Sequence, residues 1–328
     1  MKIIFDANGG DNPKEVIKGA IEASNEFNID IILVGIKKDI ESSLKEFEFN
    51  EKKVQIINAE EKIENEDDPA FALRKKKDSS IVVGLNLLKE KKADAFISAG
   101  STGALLAGGI FIVGRIPGVK RAILPTYIPG MKKSTMIIDS GANMDSTEEF
   151  LYQFAQMGEV YLKEYYNVED PKIALLNVGS EKGKGNALVK KTYEIFEDSD
   201  FNFIGNVEAR DLAKTEADLV VCDGFVGNVL LKSIEGIAEF IVKSFAYKLQ
   251  AEDLGPEMRE KLSHLIMDMS KKLDSKSVGG TILLGLESPI IKAHGNSDHR
   301  AIKNASSYAI DILNKDIINK IKNKLGEK

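Results

Sequence analysis

Short apolar runs alternate with amphipathic stretches along most of this chain, and the runs repeatedly end in turns rich in Gly, Asn and Asp. That alternation points to an α/β fold with a largely parallel sheet flanked by helices. The strand-like runs are Lys2 to Asp6, Ile31 to Val34, Val54 to Ile57, Ala95 to Ser98, Met136 to Asp139, Ile173 to Leu176, Asn202 to Ile204 and Leu219 to Cys222. No repeat, low-complexity tract or linker interrupts them, so residues 1–328 read as one unit, either a single body or two joined lobes.

In an open parallel sheet, ligands bind beyond the carboxyl ends of the strands. The turns at those ends contain Gly9 and Gly10, then Gly100, Thr102 and Gly103, then Asn143, and finally Asp223, Gly227 and Asn228. For any one turn, glycine serves equally well to close a tight strand-to-helix connection. Taken as a set, with the loop after Leu176, they suggest one shared crevice.

That last loop, within KIALLNVGSEKGKGN from Lys172, places Gly179, Gly183 and Gly185 around Lys182 and Lys184 before a helix that begins near Asn186. Free backbone N–H groups and the positive end of a helix make such a turn an anion site. The spacing from Gly179 to Lys184 is one residue short of a Walker A loop, and no Ser or Thr follows the lysine to hold magnesium. A dinucleotide fingerprint also fails, because Leu188 stands where its third glycine belongs.

The region from 233 to 275 differs in character. Ile237, Ile241, Phe245 and Leu249 recur at helical spacing, and after Gly255-Pro256 so do Met258, Leu262, Leu265, Ile266, Met269 and Leu273. Two amphipathic helices joined near Glu252, Asp253 and Leu254 form a protruding hairpin, suited to internal packing or dimerisation, or to a membrane surface. A final helix is expected over Ser297 to Leu325.

The net charge of −6 argues against binding nucleic acid through the general surface. The lone cysteine, Cys222, excludes an intrachain disulfide and a cysteine-rich metal site; it ends an apolar strand, where a buried inert thiol is the usual occupant. His264, His294 and His299 show no ligand spacing, so neither metal nor cofactor is expected. His294, in a small-residue turn, could orient a phosphate or bond backbone. With no signal-like opening and no spanning segment, a cytoplasmic location is expected.

Seven blocks then carry a resemblance: DANGGD from Asp6, SAGSTGALLAGG from Ser98, DSGANMD from Asp139, LLNVGSEKGKGN from Leu175, FIGNVEARDL from Phe203, DGFVGN from Asp223 and PIIKAHGNSD from Pro289. In these, and in their order along nearly the whole length, the chain resembles the bacterial acyl-acyl-carrier-protein:phosphate acyltransferases of phospholipid synthesis. It departs from the usual family pattern at Asn8, at the Asn12-Pro13 step, at Ser101 and at Gly183. The resemblance implies an isocitrate-dehydrogenase- and phosphotransacetylase-like fold, a homodimer, and transfer of a long acyl chain from acyl carrier protein to inorganic phosphate. The product, acyl phosphate, would feed a glycerol-phosphate acyltransferase, and the hairpin would touch a membrane transiently. It also implies that Lys184 and Asn228 are the catalytic residues, served by Gly9, Gly10, Gly100, Thr102, Gly103, Asn143, Gly185, Asn186, Asp223, Gly227 and His294 as substrate contacts.

The residue types suit that chemistry. Phosphate is already a nucleophile and thiolate a fair leaving group, so the site must hold two anionic centres together more than it must supply a base. Lysine provides a point charge and asparagine an amide donor. A phosphotransacetylase-like enzyme using acyl-CoA, a decarboxylating dehydrogenase on the same fold, and a non-catalytic carrier-protein or membrane scaffold remain as competing readings.

Overall fold

The computed structural model describes residues 1–251, 255–273 and 279–326, and its strands form two sheets where the sequence suggests one. The first contains β1 (Lys2–Asp6), β2 (Asp30–Gly35), β3 (Val54–Asn58), β4 (Ala95–Ser98), β10 (Thr281–Ile282) and β11 (Ile290–Lys292). The second contains β5 (Thr126–Ile128), β6 (Thr135–Ile138), β7 (Ile173–Asn177), β8 (Phe203–Glu208) and β9 (Leu219–Val221). The helices are α1 (Pro13–Phe27), α2 (Lys37–Leu44), α3 (Pro69–Lys75), α4 (Ser80–Lys89), α5 (Thr102–Gly108), α6 (Glu148–Tyr166), α7 (Ala187–Glu197), α8 (Gly224–Ala251), α9 (Pro256–Leu273), α10 (His299–Asn314) and α11 (Ile317–Gly326).

The first sheet runs β10-β11-β4-β1-β2-β3 and the second β5-β6-β9-β7-β8. Pairing is parallel throughout, except that β10 lies antiparallel to β11 and β5 to β6 at the sheet edges. From β1 the chain builds outward through β2 and β3, then returns to place β4 on the other side of β1. That reversal opens a crevice beyond the ends of β1 and β4.

The central strands read as unbroken apolar runs because both faces are covered. Side chains alternate along a strand, so Ile3 and Phe5 enter the core shared by the two sheets while Ile4 faces a second core under α4. In the second sheet Ile138, Leu175 and Val221 join the shared core, and Ile137, Ala174 and Val220 pack on the opposite face with Leu230 and Ile234 of α8. Each fully buried Ile, Leu, Val or Phe among them contributes about 1.5–3 kcal/mol. The two sheets are tied by α10, which packs on α1 and whose Tyr308 hydroxyl bonds the Tyr161 hydroxyl of α6.

Two helix boundaries differ from the sequence reading. The stretch from Ser297 to Leu325 is broken into α10 and α11, because Asp316 takes a left-handed conformation at φ 54°. The first helix of the hairpin begins at Gly224, nine residues before 233, so Asn228 lies in a helix and not in a turn. Asp223 starts it, with Oδ1 accepting from the Val226 N–H at 3.0 Å. The hairpin tip at Glu252, Asp253 and Leu254 lies outside the described residues. Among the described residues no helix is long and apolar enough to cross a membrane.

Candidate active site

The carboxyl ends of both sheets converge on one cleft of about 510 Å³. Gly100 and Thr102 line it from the end of β4, His294 from the loop after β11, and Asn228 from the first turns of α8. Four of the residues singled out from sequence, carried on three separate segments, thus meet in one place.

On the first-sheet side, the loops fit by close backbone approach. A Cβ on Gly9 would lie 2.5 Å from Asp6 Oδ2 and 3.0 Å from the Gly100 nitrogen, and one on Gly10, at φ 79°, would lie 2.7 Å from the Gly295 carbonyl. Gly9 and Gly10 therefore form packing beneath the cleft wall and are not part of its lining. The Ser98 hydroxyl donates to Asp6 Oδ2 at 2.6 Å and accepts from the Gly100 N–H at 2.9 Å, joining β1 to the β4 turn. Gly103 serves contact of another kind, since its Cβ would meet Pro69 of α3 at 2.7 Å.

On the second-sheet side, Asp139 organises the loop after β6. Its carboxylate accepts from the N–H groups of Leu124, Gly141, Ala142 and Asn143 and from the Asn143 side chain. The Asn143 amide also donates to the Ala122 carbonyl at 2.9 Å, and its own carbonyl accepts from the Gly224 N–H at 2.8 Å. Asn143 is thereby committed to bracing the start of α8. Gly227 allows the helix to approach, because a Cβ there would sit 1.9 Å from the Asp139 carbonyl oxygen. The result is an Asn228 side chain that faces the cleft, with no hydrogen-bond partner among the described residues.

Lys184, Gly185 and Asn186 occupy the loop between β7 and α7 and are not among the residues lining the cleft. The loop is held by Asn177, whose side chain donates to the Lys184 carbonyl at 3.2 Å, and by Gly185 at φ 95°, where a Cβ would meet Asn177 Oδ1 at 2.6 Å. Asn186 caps α7, accepting from the Val189 N–H at 2.9 Å. The Lys184 side chain is exposed and has no hydrogen-bond or ion-pair partner among the described residues. Because β7 and β9 are parallel neighbours, the Lys184 loop leaves the sheet beside the Asp223–Asn228 segment, about 5 Å away at the strand ends.

Several lining residues escaped the sequence reading. Lys232 and Glu235 face the cleft from α8 and pair with each other at 2.7 Å. They stand four and seven residues after Asn228, on its helical face, and starting the hairpin at 233 hid that spacing. Thr126 and Ser140, whose hydroxyls bond at 2.7 Å, also line the cleft. Lys292 lines it too, a lysine inside an otherwise apolar strand and within a block already quoted. Among the described residues no His, Cys, Asp and Glu cluster could hold a metal ion.

Cys222 lies behind this wall. Its buried thiol donates to the Asp139 carbonyl at 3.5 Å, and burial, with Asp223 and Asp139 nearby, pushes its pKa well above the usual thiol value. It is not poised as a nucleophile.

Known proteins agree with this architecture. The Streptococcus pyogenes phosphotransacetylase superposes with a TM-score of 0.62 at 20% identity, covering 97% of this chain and 94% of that one. A branched-chain phosphotransacylase from Enterococcus faecalis gives 0.57 at 16% identity, covering 95% and 98%. These likenesses establish a phosphotransacetylase-like fold. A family model described as fatty acid synthesis protein matches residues 1–320. The Clostridioides difficile phosphate acyltransferase is 48% identical over 317 residues, 94% of this chain and 92% of the relative. The Dictyoglomus turgidum phosphate acyltransferase is 45% identical over 324 residues, 98% and 96% respectively. Identity at that level along nearly the full length, on a fold that brings Gly100, Thr102, Asn228 and His294 to one cleft, means that the chain belongs to the phosphate acyltransferase family of acyltransferases.

Proposed function

We propose that the protein transfers a long fatty acyl chain from the thioester of acyl carrier protein to inorganic phosphate, and that the acyl phosphate formed serves a glycerol-phosphate acyltransferase in phospholipid synthesis. The observation that carries the reading is the unpartnered Asn228 amide in the interlobe cleft of a chain so similar to proteins named phosphate acyltransferase. Asn228 donates to the thioester oxygen as it gains negative charge. Lys184, exposed and without an ion pair on the adjacent strand end, holds phosphate for attack. The roles complement each other because the reaction needs an anion held against a carbonyl whose own charge is rising.

Carrier proteins are acidic, and the basic run Arg74-Lys75-Lys76-Lys77 leads out of α3, the helix whose Pro69 abuts Gly103 beside Thr102. That run is the docking surface in this reading. The proposal extends to a cytoplasmic homodimer with transient membrane contact, supported by the apolar side chains that the hairpin leaves exposed, among them Ile237, Phe240, Phe245 and Leu265.

The test is phosphate-dependent release of free thiol from a long-chain acyl carrier protein, run beside the corresponding acyl-CoA. Preference for acyl-CoA would favour a phosphotransacetylase-like activity instead. Lys184→Ala and Asn228→Ala are each expected to lower kcat about 100-fold with folding intact by circular dichroism. Near-wild-type turnover by either variant removes that residue from the site.

A further inference from the structure

Lys292 closes β11, whose other residues, Ile290 and Ile291, are fully buried. Its ammonium donates to two backbone carbonyls, those of Ala99 at 3.4 Å and of Ala293, at the edge of the cleft it lines. No carboxylate lies within ion-pairing distance of it among the described residues. Even a partly buried ammonium ordinarily sits against a carboxylate, since desolvating an unpaired charge is costly. Here the unpaired charge fronts a cleft.

The charged and titratable groups around it come from every neighbouring element. Asp6 at the end of β1 and Asp11 in the following loop attract the ammonium from a distance. Lys62 reaches the same loop, donating to the Gly10 carbonyl at 3.4 Å, and His294 follows two residues along the chain. On the opposite wall Lys232 and Glu235 neutralise each other. Burial outweighs the attraction of the two aspartates and brings the lysine down to about 8. Free thiols titrate near 8.5 and ordinary lysines near 10.4. Lys292 is therefore matched to a thiol, and an ordinary lysine would hold its proton too firmly.

We propose that Lys292 is a further catalytic residue, the proton donor to the thiolate sulfur as it leaves the acyl group. The inference rests on the phosphate acyl-transfer reading. A phosphate oxygen of the hydrogenphosphate dianion bonds to the thioester carbonyl carbon. The carbon–sulfur bond breaks with its electron pair remaining on sulfur, and the sulfur takes one proton from the Lys292 ammonium. The acyl hydrogenphosphate monoanion then returns a proton to the neutral amine, leaving acyl phosphate dianion and free thiol. One proton has passed from phosphate to sulfur through the lysine, and nothing is oxidised or reduced.

Lys292→Arg keeps the positive charge and withholds the proton. Wild type and variant are compared by phosphate-dependent thiol release from palmitoyl acyl carrier protein between about pH 7 and about pH 10. Wild-type kcat is expected to fall above about pH 8 as the ammonium is lost. In Lys292→Arg, kcat drops about 100-fold, KM for phosphate stays within about threefold, and the basic limb disappears. An arginine variant with wild-type kcat shows that fixed charge or mere packing suffices, and overturns the proposal. So does a rise in phosphate KM at unchanged kcat, which would make Lys292 an anchor. A flat wild-type profile across the range overturns it without any variant, whatever the variant's folding. Each of these results leaves phosphate-dependent transfer standing, whereas a wild-type enzyme that releases no phosphate-dependent thiol defeats both readings.

Discussion

Asp6 ends β1 of the first sheet, Asp139 follows β6 of the second, and both are fully buried beside the same cleft. Asp139 accepts five hydrogen bonds, the shortest from the Asn143 N–H at 2.7 Å. Asp6 accepts the Ser98 hydroxyl on one oxygen, and its Oδ1 has no partner among the described residues. Burial raises the pKa of both; the Asn143 amide and loop N–H groups oppose it at Asp139, and the Ser98 hydroxyl opposes it at Asp6. The second-sheet wall is thus a finished hydrogen-bonded scaffold that aims Asn228. The first-sheet wall leaves Asp6 Oδ1 without a partner and holds the Lys292 ammonium on two backbone carbonyls, with no carboxylate at ion-pairing distance among the described residues. One wall supplies geometry and the other supplies titratable charge.

The largest expected effect comes from breaking the scaffold. Asp139→Ala removes the acceptor of five hydrogen bonds and leaves part-buried N–H groups of the loop without a partner, and should cost about 3 kcal/mol in urea unfolding. Activity should vanish with it, because the support of α8 at Gly224 and Asn143 is lost. A loss below about 1 kcal/mol would mean that the loop holds itself and the contrast between the walls is only apparent.

A smaller effect, opposite in sign, is expected from Asp6→Asn. The folded pKa of Asp6 lies above its unfolded value, so the native state binds more protons in the interval between them, and stability falls as pH rises through it. The stabilisation is fully present below the unfolded value near 3.8 and is lost as pH passes the raised one. Asparagine copies the protonated form without the slope, so the variant should be more stable than wild type by about 1 kcal/mol at neutral pH and equal to it in acid. Urea midpoints measured across that range check this. A wild-type curve parallel to the variant's would show that ionised Asp6 carries no cost. Losing Asp6's charge also removes an attraction on Lys292, so the basic limb of the rate profile should move to lower pH.

The same two walls show what the sequence discloses. β1 and β4 were legible to the residue, and β7 to within one, because strands covered on both faces are continuous apolar runs with glycine turns after them. β5 and β10 were not, being two or three residues long and forming the antiparallel edges. The division into two sheets follows from long-range pairing, such as that of β11 with β4, which no local pattern encodes. At Asp223-Gly224-Phe225-Val226-Gly227-Asn228 two glycines suggest a loop, yet they serve the close approach of a helix to the Asp139 loop. Motifs singled out Asn228 and His294, which both line the cleft, but the bracing contacts of Asn143 and the surroundings of Lys292 depend on neighbours distant in the chain.

The smallest effect should come from the residue that chemistry makes most tempting. Cys222 sits behind the Asp139 loop, with its thiol on the Asp139 carbonyl and within 3.0 Å of where a Gly227 Cβ would stand. Its raised pKa keeps it a neutral thiol, so it belongs to the scaffold wall and takes no part in charge transfer. Cys222→Ala should therefore keep kcat within about twofold while losing about 1 kcal/mol of stability, the inverse of the pattern expected for Lys292→Arg. Thiol release and urea unfolding on the one variant separate the cases. Complete inactivation with an unchanged midpoint would place a nucleophile on the wall that otherwise supplies only geometry.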